Sequence, residues 1–99
     1  MAYNYEFTDL AKKNIDEAIF YITTVLSNKK AASKLIVDIE NTIKNICLFP
    51  MSYSNCEYYY IKDESIRHAI IKNYVLIFKI EDNSIIFLSF KYSKKDKVL

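Results

Sequence analysis

The chain has 99 residues, enough for one domain over residues 1–99 and too few for two cores of useful size. Hydrophobic residues make up 52% of it, so a core can pack without a metal or disulfide staple, although with the narrow stability margin of a small domain. A formal net charge of +2 excludes a general affinity for polyanions or membranes arising from total charge and leaves only its distribution informative.

That distribution is uneven. Residues 90–99 read FKYSKKDKVL, with Lys91, Lys94, Lys95 and Lys97 against Asp96, and any polyanion contact is expected there. Cys47 and Cys56 lack the paired short spacings of a zinc site, and His68 is the only histidine, so neither a metal nor another cofactor is expected. Both cysteines read as free thiols of a cytoplasmic protein, since Cys47 falls on an apolar helical stripe, Cys56 falls in a loop, and the N-terminus MAYNYEF lacks a secretory layout. No apolar run approaches the roughly 18 residues of a membrane span, so no membrane partner is expected.

In chain order, Tyr3, Tyr5 and Phe7 alternate with polar residues and predict a short strand. Thr8 supplies a capping hydroxyl and Asp9 a favourable charge for a helix start. The apolar positions Ala11, Ile15, Ala18, Ile19, Ile22, Val25 and Leu26 recur at steps of three and four and predict an amphipathic helix of about five turns. Ser27 and Asn28 interrupt it. Ala32, Leu35, Ile36, Ile39, Ile43, Ile46 and Cys47 then predict a second helix, antiparallel to the first, which Phe49-Pro50 ends because a proline disfavours helical geometry at the preceding residue. Beyond the loop 51–55, residues 57–61, 66–71, 74–80 and 85–92 are dense in Ile, Val, Tyr and Phe and predict successive antiparallel strands.

The expected fold is therefore α+β: an N-terminal strand, an antiparallel helical hairpin, and a mainly antiparallel sheet of three to four strands with one face on the hairpin. With no glycine in the chain, Asn73 and Asn83 are the expected positive-φ residues of the tight turns. Alternation separates Leu76, Phe78 and Ile80 from Val75, Ile77 and Lys79. The set containing Lys79 is expected outward, and Lys91 likewise, because an unpaired buried ammonium is costly.

Phe7-Thr8 followed by Ala11, then Ile19-Phe20-Tyr21-Ile22, Asn28 with Ala31-Ala32, and Leu48-Phe49-Pro50 resemble the helical hairpin of ParE-type toxins. Arg67, the segment 73–80 and the closing run 90–96 resemble the strand pair and basic end of the RelE/ParE superfamily, so nearly the whole chain is covered. The resemblance implies the toxin of a type II toxin–antitoxin module, of the kind that stabilises plasmids, neutralised by a cognate antitoxin protein. It implies two alternative targets: DNA gyrase for ParE-type members, and ribosome-bound mRNA, cleaved without a metal, for RelE-type members.

Cleavage of RNA needs a group to deprotonate the 2′-hydroxyl, a cation for the crowded phosphate and an acid for the leaving oxygen. Val75 stands where RelE-like toxins carry an arginine, and Tyr92, Lys94 and Lys95 stand where many relatives carry histidine and arginines. Charge persists there but the guanidinium fork is lost. The leading reading is thus a ParE-like toxin acting by protein binding at gyrase. The alternative is an mRNA endonuclease, with Arg67, Lys79, Lys91, Lys94 and Lys95 as charge stabilisers and Tyr92 or Tyr74 as a stacking group. An inactive homologue that keeps only the antitoxin interface is the third. Arg67, the single arginine, fits either a bidentate donor to phosphate or carboxylate or a structural salt bridge to Glu57 or Glu64. His68, on the opposite face by alternation, reads as structural. Tyr58, Tyr59 and Tyr60 read as ordinary strand before base-stacking surfaces.

Overall fold

The computed structural model describes residues 2–55 and 64–93. The expected strand at 57–61, Cys56 and the basic end including Lys94, Lys95 and Lys97 lie outside the described residues. The first element, β1 (Asn4–Phe7), is one residue shorter than the alternation predicts. It is followed by α1 (Asp9–Phe20), α2 (Lys29–Leu48), β2 (Ile66–Ile71), β3 (Tyr74–Glu81) and β4 (Ser84–Tyr92). The strands form one sheet in the order β1-β4-β3-β2, antiparallel except for β1, which lies parallel to β4 with Tyr5 beside Ile85 and Phe7 beside Phe87. This is the expected α+β architecture.

Thr8 is the N-cap of α1: its hydroxyl oxygen accepts the Ala11 amide at 3.1 Å. The same hydroxyl donates to the carbonyls of Phe87 and Leu88, at 3.0 and 3.1 Å, and the Thr8 amide donates to Phe87 as well. β1 runs out at the Phe7 and Phe87 pair, and α1 takes over the same edge of β4 from that point. Three residues further along that edge, the Phe90 amide donates to the side-chain oxygen of Asn14 on α1. Backbone groups that a missing strand would leave unpaired are thereby satisfied by a helix, which also closes the edge to outside strands.

After Phe20 the helix continues as a single wider π-helical turn, Tyr21–Val25, in which the Leu26 amide reaches back to the Tyr21 carbonyl at 3.1 Å. An extra residue in one turn rotates the residues beyond it by about 100° relative to an α-helical stripe. The expectation that Val25 and Leu26 belong to the buried stripe is corrected accordingly: both are exposed, at 61% and 54%. Ser27, at φ 51°, then reverses the chain, and the Asn28 side chain caps α2 by accepting the Ala31 amide at 3.0 Å. On α2 the residues Ala32, Leu35, Ile39, Ile43, Ile46 and Cys47 are buried as expected, whereas Ile36 faces outward. Phe49 ends the helix, and Pro50–Ser52 form a short 3-10 turn.

The main core lies between these helices and one sheet face, where Leu76, Phe78, Ile85, Phe87 and Phe90 meet Ala11, Ala18, Ile22, Leu35, Ile39 and Ile46. Each large side chain fully buried there contributes roughly 1.5–3 kcal/mol. Ile85, Phe87 and Phe90 do not share strand parity. They share a face because of a β-bulge: Ile77 pairs with Ser89 and Phe78 with Phe87, so Leu88 is an extra residue. The outer face also differs from expectation. Val75 and Ile77, expected outward with Lys79, are 4% and 2% exposed and pack with Ile66 and Leu88 in a second small cluster. β3 is flanked by a strand on each side, so its residues are shielded even on the face away from the helices. Lys79 stays partly exposed and pairs with Glu81 at 3.4 Å. The tight turns also place their positive φ elsewhere, at Lys72 (58°) and Asp82 (51°), the first loop residue in each case, in place of Asn73 and Asn83. A hairpin closed by two residues requires the left-handed region at the first of them when the second keeps negative φ.

Replacing Thr8 with alanine removes a helix cap and the bonds to two β4 carbonyls at once. We expect T8A to lower unfolding stability by about 1–2 kcal/mol in a denaturant titration, and T8S to retain most of it. Equal stability of T8A and the unmodified chain would refute the role given to this hydroxyl.

Candidate functional site

A groove of about 950 Å³ opens between the helical hairpin and the end of the sheet where β3 begins and β4 ends. Ala18, Ile22 and Leu35 form its apolar floor on the helix side, with Tyr21 and Leu26 at the lip. The π-helical turn sets that lip, because it contains Tyr21 and delivers Leu26 to an exposed position. The sheet wall is aromatic. Tyr74 stacks on Phe90, with ring centroids 4.7 Å apart and 6° between planes, and Tyr92 stands edge-on to Tyr74 at 5.6 Å. Charged side chains occupy the rim, with Lys72 in the β2–β3 turn, Lys34 on α2 and, of opposite sign, Glu17 on α1, while Lys91 borders it from β4 with its side chain on the face away from the helices.

Burial pushes the Tyr74 phenol above its ordinary range, and the neighbouring phenols of Tyr92 and Tyr21 push it further in the same direction. Tyr74 is therefore a neutral hydroxyl at physiological pH. Its ring face is already covered by Phe90, which leaves Tyr92, 57% exposed, as the accessible ring of the wall.

The other residues singled out by sequence are scattered around this groove. Arg67 pairs across the ladder with Phe78 on the helix-facing side, four residues along the strand from the Tyr74 and Tyr92 pair, or about 13 Å at the rise of a strand. Its Nη1 donates to the Tyr53 carbonyl at 2.6 Å, and its Nε is buried without a hydrogen-bond partner among the described residues. This ties the sheet to the loop leaving α2, where the Tyr53 hydroxyl accepts from Asn45 and the Tyr53 ring meets Phe78 edge-on at 5.8 Å. Among the described residues the partner of Arg67 is this carbonyl and no ion pair with Glu64 forms, while Glu57 lies outside the described residues. His68 points to the other face, as alternation predicts, with its Nδ1 3.1 Å from the Asn55 carbonyl. Lys79 and Lys91 lie on that same far face, four β3 residues apart, since Lys91 pairs with Val75. Of the candidates within the described residues, Tyr74, Lys91 and Tyr92 line the groove, while Arg67 and Lys79 do not.

Sequence reasoning did not single out Lys72 or Phe90 as site residues, nor Tyr21 as their neighbour. No local signal marks them: they come together from the end of the first helix, the β2–β3 turn and the end of β4. Cys47 is a buried free thiol whose pKa burial raises. Among the described residues no cluster of His, Cys, Asp or Glu could hold a metal ion, and no helix is long and apolar enough to cross a membrane.

A helical hairpin packed on one face of a mainly antiparallel sheet, with the first strand added in parallel at its edge, is the architecture of the RelE/ParE class of toxins. The family model described as "ParE toxin of type II toxin-antitoxin system, parDE" matches residues 5–96, and the chain belongs to that family. Among solved structures it resembles the chromosomal ParDE toxin–antitoxin system of P. aeruginosa, with a TM-score of 0.71 and 17% identity over 94% of this chain and 98% of that one. It also resembles the toxin–antitoxin complex RelBE2 of Mycobacterium tuberculosis, with a TM-score of 0.64 and 13% identity over 93% and 99% of the two chains. No curated protein matches the sequence.

The tyrosine cluster gives a pH-dependent signature. Tyr74 has a folded pKa above its unfolded value near 10, so it adds no penalty below pH 10 and destabilises the fold as pH rises through the raised folded pKa. Ultraviolet titration should show a late-ionising phenol that disappears in Y74F, and Y92F should bring it only part of the way towards the ordinary range, because burial, the larger cause, remains. A single ordinary phenol transition in the unmodified chain would contradict this arrangement.

Proposed function

We propose that this toxin arrests growth by binding DNA gyrase and does not cut RNA, and that a cognate antitoxin protein neutralises it. The observation that carries this reading is the dispersal of the catalytic candidates. Arg67 is engaged with the loop after α2, Lys79 pairs with Glu81, Lys91 lies four β3 residues from Lys79, and Tyr92 stands on the opposite face. General acid–base cleavage needs its groups within hydrogen-bond reach of one phosphate, and these four do not share a site; Lys94 and Lys95, the other two candidates, lie outside the described residues. Val75, at the position where RelE-like toxins carry an arginine, is 4% exposed and belongs to an apolar cluster.

Protein binding is favoured by the surface of the helical hairpin. Phe20, Tyr21, Val25 and Leu26 at the end of the first helix are all about half exposed or more, as are Leu10 near its start and Val37 on α2. Large apolar side chains concentrated in this way mark contact surfaces more often than they occur on inert monomer faces.

Induction of the chain without its antitoxin should stop growth while messenger RNA stays intact and covalent gyrase–DNA complexes accumulate. In vitro, the purified chain should inhibit supercoiling by gyrase in proportion to its concentration. Cleavage of ribosome-bound messages without any effect on gyrase would sink the proposal in favour of the endonuclease reading. Unimpaired growth would indicate an inactive homologue.

A further inference from the structure

Among the described residues, β1 is the strand whose outer side is left open. The outer side of β2 is met by the loop after α2, where the His68 amide donates to the Ser54 carbonyl at 3.0 Å, and the edge of β4 past Phe87 is taken by α1. On β1, the Asn4 and Thr8 amides donate to the Asn83 and Phe87 carbonyls, so alternation aims Asn4, Glu6 and Thr8 at β4 and turns the N–H and C=O of Tyr5 away from it. No described residue pairs with those two groups. Asn4, Tyr5 and Glu6 are all exposed. Beside this edge a second groove, of about 610 Å³, lies between β1 and the end of α2. Tyr5, Ile43, Cys47 and Leu48 line it, and the exposed Glu40 and Lys44 stand one helical turn apart on its margin.

We infer that this edge is a homodimer interface, in which the β1 strands of two copies pair antiparallel about a twofold axis at Tyr5 and join the two sheets into one. The chemistry of the strand selects a second copy, because Tyr3-Asn4-Tyr5-Glu6-Phe7 reads as aromatic, polar, aromatic, polar, aromatic in either direction. In this register Tyr5 exchanges N–H to C=O bonds with Tyr5 of the second copy, and Tyr3 stands opposite Phe7. Asn4 then stands opposite Glu6, so that a side-chain amide meets a carboxylate at both ends of the pair. A shift of two residues towards Phe7 would set Glu6 against its own mate, and the register is fixed by that repulsion. The margin of the second groove is self-complementary in the same sense, since a twofold axis beside it meets Glu40 and Lys44 in equal number. Pairing also shields the apolar lining of that groove from water. Tyr92 closes β4 at the far end from Ile85, the neighbour of Tyr5, so the larger groove at Tyr74 and Tyr92 stays open in both copies.

The test follows the mass of the purified full chain by size-exclusion chromatography with light scattering across a concentration series, alongside two variants. Asn4→Glu sets carboxylates against each other at both ends of the strand pair and should raise the dimer dissociation constant roughly tenfold. Adding Glu6→Lys to it places opposite charges there and should bring dimerisation back. Both positions are exposed, so the circular dichroism spectra of the three chains should coincide, and rescue by the double variant separates a lost interface from a lost fold. A chain that stays monomeric at every concentration would overturn the assignment, as would dimers indifferent to Asn4→Glu or a double variant no better than the single one. A monomer whose Tyr5 amide gains protection from hydrogen exchange only when the product of the adjacent reading frame is added would overturn it in favour of that partner.

Discussion

The open edge of β4 governs how this molecule is assembled. β4 carries Ile85, Phe87 and Phe90 into the core, yet β1 accompanies it only as far as Phe87. Beyond that point its backbone would face either solvent or a foreign strand. Thr8 and Asn14 resolve this by bringing α1 onto the edge, with bonds to the Phe87 and Leu88 carbonyls and from the Phe90 amide. The same contacts set the direction in which α1 leaves the sheet. They therefore set where its C-terminal end stands relative to Tyr74 and Tyr92.

Two local irregularities complete that geometry. The bulge at Leu88 brings Phe90 to the helix-facing side, where it meets Tyr74, and the π-helical turn places Tyr21 and Leu26 opposite them. Both are departures from regular periodicity: the π-helical turn lies at the groove, and the bulge sits two residues before Phe90, which lines it. The aromatic wall and the apolar lip are thus products of one arrangement.

The dispersal of positive charge has a comparable origin. Lysines spaced along a linear sequence look like a reserve of catalytic cations, but strand alternation and pairing distribute them between faces and along the strand. Arg67 is turned towards the loop after α2, where its guanidinium meets the Tyr53 carbonyl, and Lys79 is matched by Glu81 two residues away.

Elements whose cause is local are legible in the amino-acid sequence. Thr8 and Asn28 announce the two helix starts through their capping side chains, Phe49-Pro50 announces the end of the second helix, and the runs of Ile, Val, Tyr and Phe announce β2, β3 and β4. The resemblance carried by those motifs agrees with the family to which the chain belongs. Long-range packing settles the parallel seat of β1 and the burial of Val75 and Ile77, while the π-helical turn that exposes Val25 and Leu26 and the positive φ at Lys72 and Asp82 carry no periodic signal. It also creates the groove. The physical reason is sequence distance: a capping bond spans three residues, whereas the contacts of Thr8 with Phe87 and of Asn14 with Phe90 span 79 and 76. Periodicity reports which face an isolated helix or strand would bury, but which face is covered depends on a neighbour that only the folded chain supplies.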